Sequence, residues 1–286
     1  MLFADSALAR RIERAECQLT ADLAETMRAR ALQRPVFIAA LAGGVAVHVG
    51  AEAPFNKLIG PGLHGPLDPQ AEAALTAIEQ EFDARGAALQ AEIATLADSS
   101  VVRLLSGRGY ALVGFENVLG VRLADLAAER LAVVPPSGLL ISGVGEADGE
   151  TWFDTVSTGF LHADVVPGGE SHESFQREAL ERALRDLAQV PDFTRYLARV
   201  AGVPAGAASL RIFDRIAQLC GSATLPSYRR RGVQTALLAH RLLYARDRGC
   251  DVAVITTQPG SKSQENAQRY GFALLYSRAV LIREPR

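Results

Sequence analysis

Apolar and polar positions along the chain form two kinds of segment: amphipathic stretches with helical spacing, and shorter apolar stretches typical of buried strands. Asp68 followed by Pro69 predicts an N-cap and the first turn of a helix that ends at Gly86. A turn at Gly43-Gly44 divides an earlier apolar run into two short strands. The first part of the chain is therefore predicted to hold a helix at 6–33, strands within 36–50, a helix at 71–86, a strand at 87–95, a helix at 97–109 and extended chain at 110–123.

The same order of elements returns near the other end of the chain. Residues 235–249 predict a helix closed by Gly249, and a strand, a short helix and a second strand follow at 250–257, 262–271 and 272–284. Laying 108–119 over 269–281 places Gly109 on Gly271, Ala111 on Ala273, Leu112 on Leu274, Val118 on Val280 and Leu119 on Leu281. The shared order and these identities predict a duplicated helix-strand-helix-strand unit, with chance agreement among common residues as the alternative.

A linker is predicted where Pro135-Pro136 forbids helix and favours extended chain. The two copies would then be domains of residues 1–125 and 137–286.

Composition limits the classes of function. The chain has 286 residues, 49% of them hydrophobic, and a formal net charge of −2 with a pI near 6.2. It can fill substantial cores, but it has no global positive field to hold nucleic acid or an anionic membrane surface. The longest apolar stretch, 36–50, is shorter than the ~20 residues that a membrane-spanning helix needs. Three widely spaced cysteines fit a reducing compartment, so we expect a cytoplasmic protein without disulfides.

Three consecutive arginines precede a predicted helix, where a macrodipole favours anions instead. An apolar strand is predicted at 216–225, Pro226 ends its ladder, and Arg229-Arg230-Arg231-Gly232 forms a turn before a helix that starts near Val233. A strand, turn and helix N-terminus in this order can bind phosphate through converging backbone N–H groups and arginine side chains. A solvated arginine run and a nucleic-acid contact are the alternatives, and the second would need more cations with interleaved aromatic residues.

The segment from Arg229 to Thr235 resembles the Arg/Gln-x-x-Gly-x-Gly/Ala signature of the GNAT superfamily of acyl-CoA-dependent N-acyltransferases. The strand and helices predicted on either side of this segment also follow the order of elements in that superfamily, and the resemblance extends over residues 137–286. The resemblance implies an α/β (α+β) fold made of two GNAT-like halves, each a mixed, mostly antiparallel sheet flanked by helices, with a degenerate first half. It also implies a cofactor site for acetyl-CoA. The residues implied are Ala223 and Thr224 for the pantetheine arm, Arg229, Arg230, Arg231, Gly232, Val233, Gln234 and Thr235 for the pyrophosphate, and Asn266 as a second contact.

Catalytic residues are harder to identify. The tyrosine that the family often carries four residues before its Gly-Phe pair is Ala267 here, which leaves Tyr270 and Ser263 as weak candidates for the acid. Packing is the alternative role for Tyr270, and helix N-capping for Ser263. No acid lies within 216–225, and the possible bases, Asp154, His162, Asp164, His172 and Glu173, follow no motif.

Two other glycine patterns and the histidines do not indicate a cofactor or metal site. Residues 60–65 match G-x-G-x-x-G by letters, but Pro61 and Pro66 remove N–H donors, so we expect a turn without cofactor binding. Glu146, Asp148 and Glu150 would repel a pyrophosphate near Gly143. The five histidines show no metal-binding spacing, so no metal is expected.

These observations predict an N-acetyltransferase that passes an acetyl group directly from acetyl-CoA to the amine of a small molecule or peptide. The alternative is a catalytically silent acyl-CoA sensor or interaction protein. We expect a monomer or homodimer.

Overall fold

The computed structural model describes residues 2–30, 36–50, 53, 55–127, 131, 135–162 and 177–286. The helices in these ranges are α1 (Ser6–Arg30), α2 (Pro69–Ala84), α3 (Ser99–Gly107), α4 (Gly149–Leu161), α5 (Arg177–Leu187), α6 (Val233–Asp247) and α7 (Lys262–Arg269). The strands are β1 (Phe37–Leu41), β2 (Gly44–His48), β3 (Lys57–Ile59), β4 (Leu89–Ala94), β5 (Ala111–Arg122), β6 (Leu139–Gly143), β7 (Phe193–Val200), β8 (Val203–Phe213), β9 (Ile216–Gln218), β10 (Ser222–Thr224), β11 (Val252–Thr257) and β12 (Ala273–Arg283). None of the described helices is long and apolar enough to cross a membrane.

All these strands belong to one sheet, in the order β1-β2-β3-β4-β12-β5-β11-β9-β8-β7-β6, and β10 extends the pairing of β8. Two neighbouring pairs, β3–β4 and β9–β11, are parallel, and the other pairs are antiparallel. The prediction of a mixed, mostly antiparallel sheet flanked by helices is confirmed. The two halves do not carry separate sheets, however, because their strands interleave at the centre.

Helices cover both faces of this sheet. Apolar residues of α1, α4 and α5 pack on one face, which we call the α1 face. Residues of α2 and α3 pack on the opposite face over the first half, and residues of α6 and α7 do so over the second half. Strand β2 shows the alternation directly, because Val45 and Val47 contact the α1 cluster whereas Ala46 contacts the α2 cluster.

The two long strands β5 and β12 are exchanged between the halves. Strand β12, from the end of the chain, lies between β4 and β5 of the first half. Strand β5, in turn, lies between β12 and β11 of the second half. Each half therefore receives its closing strand from the other.

The register between β5 and β12 has the symmetry of a two-fold axis. Leu112 pairs with Leu281, and Leu119 pairs with Leu274. Because Leu112 is equivalent to Leu274 in the sequence repeat and Leu119 to Leu281, each pair maps onto the other. An isologous contact of this kind is what two copies of one unit form. Glu116 pairs with Arg278 at the position where the symmetry maps the pair onto itself.

A buried ionic cluster surrounds that pair on the α1 face. Arg278 is only 1% exposed, and its Nε lies 2.9 Å from Glu13 Oε1 of α1, while its Nη1 lies 3.4 Å from Glu116 Oε2 and 3.9 Å from Glu92 Oε2. Lys57 Nζ donates to Glu92 Oε1 at 2.9 Å. Burial opposes charge on Glu92, yet Lys57 and Arg278 hold its pKa below the ordinary value. For Glu13, burial outweighs Arg278 and raises the pKa. The cluster ties α1, β3, β4, β5 and β12 together.

Arg278→Met should be strongly destabilising, because it leaves three buried carboxyl groups without their shared cation. We expect the free energy of unfolding to fall by about 3–5 kcal/mol, measured by urea denaturation. Arg269→Met is the matched control, since Arg269 forms an exposed pair with Glu265 and its loss should change stability by less than about 1 kcal/mol. Equal effects of the two substitutions would contradict the central role of Arg278.

Candidate active site

Strands β9 and β11 run parallel for three residue pairs and then separate. The last pair is Gln218 with Val254, and the amide of Leu219 donates to Val254 O at 2.9 Å. Beyond this point β10 pairs with β8, whereas β11 continues along β5 to Thr257. The predicted single strand at 216–225 is thus broken at residues 219–221, and the break produces a V-shaped cleft between β10 and β11.

Backbone N–H and C=O groups point to alternate sides along β10, and this alternation decides which of them face the cleft. Gly221 O accepts from Ser209 N, and Leu225 N donates to Ala205 O, both at 3.0 Å, so the odd-numbered residues bond to β8. In an antiparallel ladder the residues between them point their backbone groups the other way. The amides and carbonyls of Ser222 and Thr224 therefore face the cleft, and those of Ala223 face β8. The methyl group of Ala223 packs under α4, where a Cβ at Gly159 would lie only 2.3 Å from it.

The arginine turn follows at the open end of the V. A short 3₁₀ segment, Pro226–Tyr228, leads into the turn, and α6 begins at Val233 as predicted. Arg230 and Gly232 both have left-handed backbones, with φ of +59° and +79°. Within the described part of the chain, no acceptor reaches the amide N–H groups of residues 230–235, and the first intrahelical bond is from Ala236 N to Gly232 O. Six donors at a helix N-terminus form a strong anion-binding arrangement.

The side chains of this turn have distinct contacts. The Arg229 guanidinium donates to the carbonyls of Thr224 and His162, and so ties the turn to β10 and to the end of α4. Arg231 is exposed and stacks over the Tyr228 ring at 5.5 Å. The side-chain oxygen of Gln234 accepts from Ser222 Oγ at 2.9 Å, and the backbone N–H of Gln234 is not used in this bond. The predicted pyrophosphate residues therefore lie together, next to Thr224.

The far wall of the cleft is formed by β11 and α7. Asn266 lies on α7 and is half-buried. Tyr270 is the C-cap of α7, and its side chain, 8% exposed, packs in the core under α6. The N-cap prediction for Ser263 is wrong: Ser261 is the cap, accepting from Gln264 N at 3.2 Å, and Ser263 is exposed in the first turn of the helix.

The candidate general bases predicted from the sequence are only partly among the residues that the structure describes. Asp154 and His162 are exposed on α4 and at its C-cap, while Asp164, His172 and Glu173 lie outside the described residues. Cys220 lies in the break between β9 and β10, and burial raises the pKa of its thiol to about 12, so it is protonated at neutral pH. The described residues contain no cluster of His, Cys, Asp and Glu that could hold a metal ion.

One acidic residue near the cleft was missed by sequence reasoning. Glu16 of α1 accepts from Gln218 Nε2 at 3.0 Å, at the last residue pair before the V opens. These two residues are 202 positions apart, in different halves of the chain. No local motif reports such a contact, although helical spacing on α1 does identify Glu16 as a neighbour of the buried Glu13 and Thr20.

The equivalent V of the first half is closed. After β3 and β4 separate, Asp98 N donates to Gly62 O at 2.9 Å and so bridges the two arms. A Cβ at Gly62 would lie 2.6 Å from Val101, and one at Gly60 would lie 2.6 Å from the Cys17 sulfur, so neighbouring side chains fill the space. This packing agrees with a turn that holds no cofactor.

Comparisons with known proteins agree with this geometry. Residues 161–272 match the model of the acetyltransferase (GNAT) family, in agreement with the resemblance seen in the sequence. No curated protein matches the chain significantly in sequence.

Solved structures show the same fold along nearly the whole chain. A GCN5-related N-acetyltransferase from Kribbella flavida is 18% identical with a TM-score of 0.65, covering 94% of this chain and 95% of its own. A tandem GNAT protein from the clavulanic acid biosynthesis pathway is 11% identical with a TM-score of 0.61, covering 93% and 95%. A GCN5-related N-acetyltransferase from Sphaerobacter thermophilus is 15% identical with a TM-score of 0.57, covering 84% and 72%. The tandem fold is therefore shared with known structures.

Gly159→Ala should disturb the wall of the cleft, because the added methyl group would overlap Ala223. We expect a loss of about 1–3 kcal/mol in the free energy of unfolding, visible as a lower melting temperature. Gly107→Ala, in the last turn of α3 with no atom within 4 Å of the new Cβ, is the control and should be neutral or slightly stabilising. A Gly159 variant as stable as the control would show that α4 does not pack tightly on β10.

Proposed function

We propose that the protein is an N-acetyltransferase that transfers an acetyl group from acetyl-CoA to an amine bound in the cleft of its second half. The observation that carries this proposal is the position of the six unbonded amides of residues 230–235 beside the edge of β10, where the backbone groups of Ser222 and the amide of Thr224 face the cleft. One bound molecule with a diphosphate and a peptide-like arm would satisfy both.

In this proposal the diphosphate binds the amides of Arg230 to Thr235. The left-handed turn at Gly232 brings the backbone close to the ligand, and a Cβ there would lie 3.2 Å from Pro136. Arg231 adds a cation at the rim, whereas Arg229 acts mainly by fixing the turn to Thr224 and to α4. The pantetheine amides pair with the edge of β10 at Ser222 and at the amide of Thr224, and Ala223 supports that edge from the α4 side. Asn266 contacts the cosubstrate from α7.

The reaction is a direct transfer. The neutral amine nitrogen attacks the thioester carbonyl, a C–N bond forms, and the C–S bond breaks to release the thiolate, which takes a proton to become CoA. Holding both reactants in one cleft supplies an effective concentration of about 10⁵ M or more for well-oriented groups. Tyr270 is packed in the core, so in this proposal protonation of the thiolate does not depend on it.

A silent acyl-CoA sensor is the second candidate, and the burial of Tyr270 together with Ala267 at the family's usual tyrosine position favours it. Release of free thiol from acetyl-CoA, measured with a panel of primary amines, separates the two functions. Amine-dependent turnover supports the enzyme, whereas micromolar acetyl-CoA binding without turnover on any amine supports the sensor. The acceptor, the monomeric or dimeric state and the cytoplasmic location stay predictions.

Arg231→Ala should weaken acetyl-CoA binding about 10-fold, which corresponds to loss of one charge-assisted contact of about 1.4 kcal/mol. Arg248→Ala is a matched control, because Arg248 stacks on Tyr244 at the opposite end of the same helix. Isothermal titration calorimetry should show an unchanged dissociation constant for the control. Equal affinities of the two variants would contradict a phosphate site at the arginine turn.

A further inference from the structure

On the α1 face, the cleft of the second half has a carboxylate that comes from the first half of the chain. Gln218 belongs to the last pair of β9 and β11, and its side chain lies on the α1 face with that of Cys220. On this face Gln218 Nε2 donates to Glu16 Oε2 at 3.0 Å. The carboxylate of Glu16 is therefore held at the apex of the V, where a thioester between β10 and β11 would lie.

The side-chain amide of Gln218 is itself held in place, because its oxygen is bonded to a second buried residue while its nitrogen donates to Glu16. Its Oε1 accepts from Arg211 Nη1 at 3.2 Å, and Arg211 also donates to Ala15 O and to the Asp22 carboxylate of α1. Arg211 is 3% exposed and Gln218 is 4% exposed, so neither can easily reorient. A buried chain of hydrogen bonds thus links α1 to the strand that opens the cleft.

Glu16 nevertheless remains accessible. Its side chain is half-buried, and among the described residues only Gln218 donates to the carboxylate, through Oε2. Around the break in the strand, Cys220 and Gly221 are also half-buried, and Thr256 of β11 and Phe160 of α4 are exposed. The Phe160 ring lies against Gly221, so α4 borders the strand break on the same face as α1. The two neighbouring acids of α1 are each paired with a buried arginine: Glu13 with Arg278, and Asp22 with Arg211.

We infer that Glu16 is the proton acceptor of the transfer reaction, an inference that rests on the proposed function. A primary amine approaches the half-buried Glu16 on the α1 face as an ammonium ion and is attracted by the carboxylate. Its nitrogen gives one proton to Glu16 and then attacks the thioester carbonyl. The C–N bond forms, the C–S bond breaks, and the second nitrogen proton passes to the departing thiolate. The products are an amide and CoA, and Glu16 returns its proton to water.

The charged and titratable groups around Glu16 come from several elements. They are Glu13, Cys17 and Asp22 of α1, Lys57 of β3, Arg211 of β8, Cys220 of the strand break, and Tyr276 and Arg278 of β12. Arg278 and Lys57 lie in the ionic cluster and Arg211 in the buried chain, so all three are part of fixed networks. Burial raises the pKa of the two thiols to about 12, which leaves them neutral.

The test is Glu16→Gln, which keeps an acceptor for Gln218 but cannot take a proton. Glu25→Gln, on the same helix in an exposed pair with Arg28, is the control. With acetyl-CoA and the best amine of the panel, we expect kcat to fall about 100-fold in E16Q. The dissociation constant for acetyl-CoA should stay within twofold, because Glu16 does not contact the arginine turn. The control should behave as the wild type does.

Two results would overturn the inference. One is an E16Q variant with kcat within threefold of wild type. The other is a loss of turnover matched by an equal loss of acetyl-CoA affinity, which would mean that Glu16 only supports the strand. A wild-type protein that binds acetyl-CoA but acetylates no amine would instead refute the proposed enzyme itself.

Discussion

The ladder between β5 and β12 is the contact on which the rest of the molecule depends. Each strand completes the sheet of the opposite half, so neither half has its own closing strand. Hydrogen bonding in this ladder is combined with the buried Arg278, whose charge is shared by Glu13, Glu92 and Glu116 from three other elements. A buried cation surrounded by carboxylates tolerates little change in position, because any shift leaves a charge without its partner. The cluster therefore favours one register of the exchange over its neighbours.

This shared sheet explains how the first half reaches the cleft of the second. Helix α1 packs under β2 and β3 of its own half, and it also extends across β9. Its Asp22 and Glu16 bond to Arg211 and Gln218 of the second half. If the halves had separate sheets joined by a linker, no element of the first half would be held over β9 with this precision. The exchange thus places a carboxylate of the first half beside the cleft of the second.

Most elements could be predicted from the sequence, because their signals are local. The Asp68-Pro69 start of α2, the start of α6 at Val233 and the glycines that end α2 and α6 are set by neighbouring residues. The strand exchange could not be predicted in this way. Residues such as Leu112 and Leu274 are equivalent in the two copies, so the apolar pattern of each strand fits its own half and the other half equally well. The contact of Glu16 with Gln218 is hidden for the same reason, since it follows from the exchange.

The two clefts differ in how their backbone groups and neighbouring side chains are packed. An open V leaves strand edges and helix-terminal amides without partners, which lowers stability unless a ligand supplies them. In the first half, Gly62 and Val101 close the space, and Asp98 bridges its arms with a backbone bond. In the second half, Gly159 lets α4 pack directly on β10, yet residues 230–235 keep their amides free. The first half therefore packs its own cleft closed and contributes that packing to the common sheet, whereas the second half keeps the edge of β10 and the amides of residues 230–235 unpaired among the described residues.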